Sequence, residues 1–344
     1  MRFFLFACVL LSQMLFGEAP KTVLVTGGAG FIGSNFLEYM FTKHPAYRFL
    51  VLDALTYAGS LKNIPDEILS SDRFEFFHGS VCDEKLVDQL VGRSNFIVHF
   101  AAETHVARSI EDDIVFVDTD VMGTRMVLAA LARRKGQVER FIHISTSEVY
   151  GTAESKPMPE THPLNPRSPY AAAKAGADRL VYSYFCTFGI PAVIVRPFNN
   201  YGPRQHEEKL VPHLIAQAVR GELLTIHGNG LQTRDWLHTA DLARALDGIF
   251  HFEDFEKIRG QEFNIGTERE VSVLEIARGI SKAMGLGEER MVFVEDRPGQ
   301  VAGQIAGIGK ARDVLGWEPE IGLEEGLKRT VDWYLSHPEF WRGQ

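Results

Sequence analysis

The chain of 344 residues is 45% hydrophobic, enough for one large or two coupled globular domains with a sizeable core. A formal net charge of −9 with no Lys/Arg-rich run argues against an extended nucleic-acid surface, so an anionic ligand would have to be gripped by a few placed cations. Three scattered cysteines, Cys8, Cys82 and Cys186, rule out a disulfide framework and a CxxC metal site and fit a reducing compartment.

The first stretch, "MRFFLFACVLLSQMLF", sets an Arg before an apolar run, the outline of a secretion signal or a short anchor. Against export, "GEA" is followed by Pro20; against an anchor, about five residues of tether before the first strand would reach only roughly 15 Å. A start at Met14 is the third reading, and a cytoplasmic protein without stable membrane association is the expectation.

From Lys21 onward, short β-branched runs alternate with longer amphipathic stretches. "TVLVT", "RFLVLD", "RFEFFHG", "NFIVHFA", "RFIHIS" and "PAVIVRPF" read as strands, with helices after Gly33, Asp83, Ile110 and Ser168. Strands separated by helices need crossover connections, hence a parallel sheet covered on both faces: an α/β, doubly wound Rossmann fold over residues 21–196. Beyond it, residues 197–238 are rich in Gly, Pro, Asn, Arg and His. Helices near Asp241 and Val273 then alternate with the short strands "EFNIG" and "MVFVED", and an amphipathic helix ends the chain. Residues 197–344 are therefore expected to form a smaller C-terminal α/β substrate lobe that could return chain to the sheet.

"VLVTGGAGFIG" places Gly27, Gly30 and Gly33 between an apolar strand and a helix. Glycine permits the tight turn and a close backbone approach, and the helix N-terminus offers unpaired N–H groups to a pyrophosphate. Asp53 ends the second strand twenty residues after Gly33. There it can accept bonds from a ribose diol and repel a 2′-phosphate, so NAD is expected in preference to NADP.

This GxxGxxG spacing resembles the extended short-chain dehydrogenase/reductase family, and the resemblance implies a Tyr-xxx-Lys pair after the fifth or sixth strand. "SPYAAAKAG" supplies Tyr170 and Lys174, which share one helix face. A phenol with a reference pKa of about 10 is a poor base at neutral pH. A nearby ammonium and an oxidised nicotinamide both favour its phenolate, which can take a hydroxyl proton as hydride leaves the same carbon. The same resemblance adds Phe31, Ile32, Val81 and Ala101 to the cofactor contacts.

"STSEVYG" ends the fifth strand with hydroxyls and a carboxylate. By the resemblance, Ser145 and Thr146 stand where a hydroxyl bonds the reacting oxygen, and Glu148 can take the C5 proton of a sugar whose C4 hydroxyl has become a ketone. "RPFNNYGPRQHEEKLVPHLI", "HGNGLQTRDWLHTADLARAL", "HFAAETHVARSI" and "LDALTYAGSLKNI" are similar to nucleotide-sugar 4,6-dehydratases, those for dTDP-glucose above all. The similarity covers nearly the whole chain from Lys21. It implies a lyase that oxidises C4 of a nucleoside-diphosphate hexose, eliminates water across C5 and C6, and returns hydride to C6. It also implies substrate contacts from Asn199, Lys209, Leu210, Arg234, Asn264 and Arg297, and forked guanidinium and ammonium donors suit a diphosphate. UDP-glucuronate decarboxylation and 4-epimerisation are the alternatives on the same fold, the second disfavoured by Glu148. A non-catalytic dinucleotide sensor would lose the Tyr170–Lys174 pair.

Several positions depart from the dTDP-glucose pattern. Ser147 stands where those enzymes usually carry the Asp that protonates the leaving C6 hydroxyl; GDP-mannose 4,6-dehydratases share Thr-Ser-Glu, in which Ser147 would pass a proton from water. His227 replaces a Tyr of the base pocket, "RPGQVAGQIA" a more basic stretch, Ser80 an adenine-pocket Asp and Asp120 an Asn on the nicotinamide side. The twelve histidines are dispersed, with no His/Asp cluster of ligand spacing, so no metal is expected, and His99, His143 and His238 read as packed. Members of the family generally pair through two long helices, which implies a homodimer through the helices after Ile110 and around Tyr170.

Overall fold

A computed structural model of the chain describes residues 20–295 and 303–341. The N-terminal segment, with its signal, anchor and Met14 readings, lies outside them, as does Arg297. Among the described residues no helix is long and apolar enough to cross a membrane.

Seven strands form the central sheet: β1 (Thr22–Thr26), β2 (Arg48–Asp53), β3 (Phe74–His78), β4 (Phe96–His99), β5 (Arg140–Ile144), β6 (Ala192–Pro197) and β10 (Glu262–Ile265). Their order is β10-β6-β5-β4-β1-β2-β3 and every pairing is parallel. The chain winds outward in both directions from the β1/β4 junction, so the crevice beyond the carboxyl ends of β1 and β4 is where such a sheet binds ligands. Both faces are covered, which explains the near-continuous apolar runs of β1, β2 and β6. One face packs Val23, Val25 and Val98 against Phe36 and Leu37 of helix α1 (Phe31–Lys43). The other packs Leu24, Leu52 and Ile97 against α2 (Glu84–Val91), α3 (Thr124–Arg133) and α4 (Pro169–Phe188).

The helix expected after Ile110 is broken into short turns. Val106–Glu111 and Ile114–Phe116 lead into a π-helical turn, Val117–Gly123, before α3 begins. Such turns are rare and often mark functional sites. The second lobe holds β7 (Asn199–Tyr201), β9 (Thr233–His238) and β11 (Glu270–Ser272) in one small sheet, and β8 (Leu224–His227) with β12 (Met291–Val294) in another. Helices α5 (Leu210–Val219), α7 (Val273–Ala283) and α8 (Leu323–Ser336) cover them through Leu214, Ile215, Ile276, Ile280, Leu327 and Val331.

"EFNIG", read with the second lobe, makes the return to the sheet that this reading left open: β10 pairs with β6 as the seventh strand of the main sheet. The helix near Asp241, α6 (Thr239–Phe250), likewise packs against α1. A histidine–aspartate cluster also exists, because the fold brings ligand-capable atoms of His44, Asp247 and His251 within 4.8 Å of one another. Lys43 Nζ already sits 2.7 Å from Asp247 Oδ2, and both imidazoles lie 2.8 Å from Oδ1. The cluster thus bolts α1 to α6 with a side-chain cation of its own. His99, His143 and His238 are buried, as their apolar flanks implied.

Candidate active site

The carboxyl edge of the sheet opens into a cleft of ≈ 490 Å³, lined by the glycine loop, Asp53, the turn after β5, the start of α4 and the loop before α5. Gly27 has φ 69, and a Cβ there would stand 2.6 Å from the Ala101 nitrogen, so only glycine fits. Gly33 is closed off in the same way by the Gly27 carbonyl. Gly30, the N-cap of α1, carries no side-chain cap bond, and the first turn of the helix has no acidic residue. Its N–H groups and positive dipole end therefore face the cleft ready for an anion.

Asp53 ends β2 nearly buried, its Oδ2 accepting the Ala29 N–H at 2.9 Å and its Oδ1 the Leu55 N–H at 2.8 Å. Burial pushes its carboxyl up, against the pull of those two bonds. Phe31, Ile32, Val81 and Ala101 line the same cleft. Glycine cradle, free helix end and fixed carboxylate together fit a dinucleotide with an unphosphorylated ribose.

Ser168 caps α4 by accepting the Ala171 N–H at 3.1 Å, and Pro169 fixes the first turn. That start sets Tyr170 and Lys174 one turn apart on the side facing the cleft. Lys174 Nζ donates to the Ile144 carbonyl at 2.8 Å, tying it to the last residue of β5. Burial pushes its ammonium down, while Asp120 and Asp178 pull it up. Tyr170 is hydrogen-bonded to Thr146, and burial, then Asp120, pushes its phenol far above the usual range. Without a bound ligand Tyr170 is a protonated acid.

The turn after β5 divides "STSEVYG" between two sides. Thr146 caps a 3-10 turn, Ser147–Tyr150, by accepting the Glu148 N–H at 3.2 Å. Ser145 lines the cleft with its Oγ unpartnered among the described residues. Ser147 is only 2% exposed and is absent from the cleft lining. Its hydroxyl donates to Gln304 Oε1 at 3.2 Å, and the Gln304 amide donates to the Gly151 carbonyl at 2.7 Å. The hydroxyl expected to pass a proton to the leaving group is thus engaged with Gln304 in this structure. Glu148 is half-buried; burial pushes its carboxyl up, and the Arg234 guanidinium opposes this. On β9, Arg234 donates to the Thr233 carbonyl at 2.8 Å, and the next residue, Asp235, accepts from the Thr267, Glu268 and Ala306 backbone N–H groups.

Lys209 lines the cleft at the N-cap of α5, directly before Leu210, and its Nζ lies 3.4 Å from Glu208. Two other expected substrate contacts are corrected. Asn200, not Asn199, lines the cleft, because alternate residues of β7 face opposite ways. Asn264 is fully buried: Oδ1 accepts the Tyr150 hydroxyl at 2.7 Å and Nδ2 donates to the Met158 carbonyl at 2.9 Å. It belongs to a structural network and not to a ligand surface.

Sequence reasoning also missed residues on the cleft. Glu103, nearly buried, and Tyr57 line it; Tyr57 lies 3.8 Å beneath the Arg108 guanidinium, and burial pushes its phenol up to about 12. Glu208 draws His105, Arg108 and Lys209 together, each at 3.4 Å. "AAETH" and "HEEKL" held these charges in view, but their convergence depends on a loop pairing that no local spacing encodes.

Known proteins resemble this chain in sequence and fold. The sequence profile of the GDP-mannose 4,6 dehydratase family matches residues 24–330. The low-salt glycan biosynthesis protein Agl12 of Haloferax volcanii is 44% identical over 317 residues, 92% of this chain and 99% of its own length. A dTDP-glucose 4,6-dehydratase of Actinoplanes sp. is 38% identical over 93% of this chain and 99% of its own. Among solved structures, a dTDP-glucose 4,6-dehydratase from Streptomyces venezuelae with NAD and TYD bound has a TM-score of 0.86 at 37% identity, covering 93% of this chain and 99% of that one. A UDP-glucuronic acid 4-epimerase from Bacillus cereus, solved with UDP-glucuronic acid and NAD, has a TM-score of 0.85 at 31% identity, covering 92% and 99%.

Proposed function

The chain belongs to the GDP-mannose 4,6 dehydratase family and is an NAD-dependent nucleotide-sugar hydro-lyase of the extended short-chain dehydrogenase/reductase class, and from that premise we propose that it dehydrates dTDP-glucose to dTDP-4-keto-6-deoxyglucose. NAD, when bound, supplies the hydride acceptor for C4 and the donor for C6. The residues of the chain move the protons and hold the sugar.

Thr146 and Tyr170 bracket the C4 hydroxyl, and Tyr170 takes its proton while Lys174, one helical turn on and anchored on Ile144, brings a positive charge to the same side of the helix. The new ketone acidifies C5–H, and Glu148 removes that proton; a carboxyl lifted by burial is a stronger base than a solvated one. With Ser147 turned into Gln304, the proton taken by Glu148 is returned to the departing C6 hydroxyl, and the two leave as water. Solvent then re-protonates C5 through Glu148 and receives the O4 proton from Tyr170, so the sum is loss of one water. Arg234, Lys209 and the N-terminus of α5 grip the diphosphate.

The observation that carries this reading is Glu148, a half-buried carboxylate two residues past Thr146, which itself lines the cleft, with Arg234 as the cationic neighbour of Glu148. A 4-epimerase needs no base at C5. The test offers dTDP-glucose, UDP-glucose, GDP-mannose and UDP-glucuronate in parallel, without added NAD, and reads products by mass. Loss of one water from dTDP-glucose alone is expected. Loss of carbon dioxide from UDP-glucuronate, or an isomer of unchanged mass, would overturn it.

A further inference from the structure

Asp120 is a fully buried carboxyl that none of these steps uses. It sits on the π-helical turn Val117–Gly123, which packs along α4. Oδ1 accepts the Glu103 backbone N–H at 2.8 Å, while Oδ2 has no hydrogen-bond partner among the described residues. The carbonyl of Asp120 accepts the Thr124 hydroxyl at 2.5 Å, and that hydroxyl also meets His99 Nε2 at 3.0 Å.

A carboxylate oxygen with no donor and no solvent is unfavourable when ionised and tolerated when protonated. The charged groups that face it settle what its ionisation does. Lys174 on α4 is the cation, Glu103 is a like charge, and His99 on β4 is kept neutral by burial. Burial lifts the Asp120 carboxyl to about 7, with Lys174 opposing and Glu103 adding. The other acid felt by Lys174, Asp178, is already taken by Arg196, through Nε at 2.8 Å and Nη2 at 3.0 Å. Asp120 is therefore the acid near Lys174 whose charge is still free to change. After burial itself, Asp120 is the strongest influence raising the Tyr170 phenol, ahead of Glu148 and Tyr57, with Thr146 opposing.

We propose that Asp120 is a positioning residue of the oxidation step, whose buried carboxyl changes charge beside Lys174 and so sets how readily Tyr170 exchanges its proton. The inference rests on Tyr170 being the base at O4. With Asp120 protonated, the positive charge of Lys174 acts undiminished and the phenolate is easier to form. With Asp120 ionised, Lys174 is compensated and the phenolate is repelled. As pH rises the two titrations oppose each other, so the gain in activity from Tyr170 ionisation is delayed and spread.

Asp120→Asn holds the site permanently in the uncharged form at nearly unchanged size. In the holoenzyme with dTDP-glucose, the ascending limb of kcat/KM against pH is expected to steepen and move down by on the order of one pH unit, the shift a single nearby like charge produces. Two readouts do not need turnover. The near-ultraviolet phenolate titration of Tyr170, taken against Tyr170→Phe, should move the same way. The stability linkage has its own sign: a carboxyl raised in the folded state contributes stability below its unfolded value of about 3.9 that is lost as pH rises toward 7. The Tm advantage of D120N over the unsubstituted chain should therefore grow between about pH 4 and pH 7 and level off above that.

Should D120N not fold, Asp120→Ser, also uncharged, carries the same expectations. A phenolate titration and a Tm difference that do not depend on Asp120 would overturn the proposal. Failure of every sugar nucleotide to react, with the phenolate still shifted, would instead overturn the assigned substrate and leave this inference standing.

Discussion

Glu148 and Ser147 are adjacent in sequence but differ in surroundings: the Ser147 hydroxyl is bonded to Gln304, while Glu148 faces the Arg234 guanidinium. Glu148→Gln should therefore let C4 oxidation proceed and stop there. Reduced cofactor would accumulate in its absorbance band, exchange of the C5 proton with deuterium oxide would cease, and kcat for dehydration would fall by about 10² to 10⁴. Ser147→Ala should change kcat by no more than a few-fold, since its hydroxyl faces Gln304. Gln304→Ala, in contrast, strands the buried Ser147 hydroxyl and Gly151 carbonyl, and urea unfolding should show a loss of about 1–3 kcal/mol for each group left unsatisfied. Legibility follows the same divide. Gly27, Gly33, Asp53, Tyr170 and Lys174 act through spacings within one strand-turn-helix unit, so their places on the cleft could be read from the chain alone. Ser147 is set by a partner 157 residues away, and nothing near it in sequence indicates which way it turns.

At the scale of elements, β10 carries the lesson. Four residues of "EFNI" hold too little periodicity to say which sheet they join, so the strand was read with its neighbours in the second lobe and a return to the main sheet was left open. What seats it beside β6 is a buried network reaching back to the catalytic turn. Arg196 on β6 forks onto Asp178 of α4 at 2.8 and 3.0 Å and donates to the Tyr150 hydroxyl at 2.9 Å, and that hydroxyl donates to Asn264 of β10. The network braces three elements around the end of the turn that holds Thr146 and Glu148. Asn264→Ala should leave KM for the nucleotide sugar unchanged while lowering the urea midpoint, because the Tyr150 donor loses its acceptor at a cost of about 1–3 kcal/mol. A raised KM with unchanged stability would return Asn264 to the substrate contacts. The broken helix after Ile110 has a similar reason: its amphipathic pattern predicts helix, but the choice between α and π turns is made by packing against α4.

For the whole molecule, the same broken helix poses the question of assembly. Ile110 is 71% exposed and Ile114 67%, and Val117, Met122 and Tyr182 are exposed with them on the segment 106–123 and on α4. Single exposed apolar residues are ordinary; a set gathered on two mutually packed elements marks an interface. We propose that a second copy of the chain covers this face. The segment has two sides with different duties, since Val115 and Thr119 line the cleft while Ile114 and Val117 point outward. Asp120, beside Lys174, belongs to the same stretch. A partner pressed on the outer side would therefore hold the inner wall of the active site. Light scattering after gel filtration should give twice the chain mass, and Ile114→Asp with Val117→Asp should give the single chain. If the wall is held in this way, the monomeric variant should keep its fold by circular dichroism and lose kcat by on the order of ten-fold, the effect of about 1.4 kcal/mol in positioning. A wild-type monomer at micromolar concentration would remove the second copy from this face. A monomeric variant with full kcat would keep the dimer but show that the cleft wall stands without it.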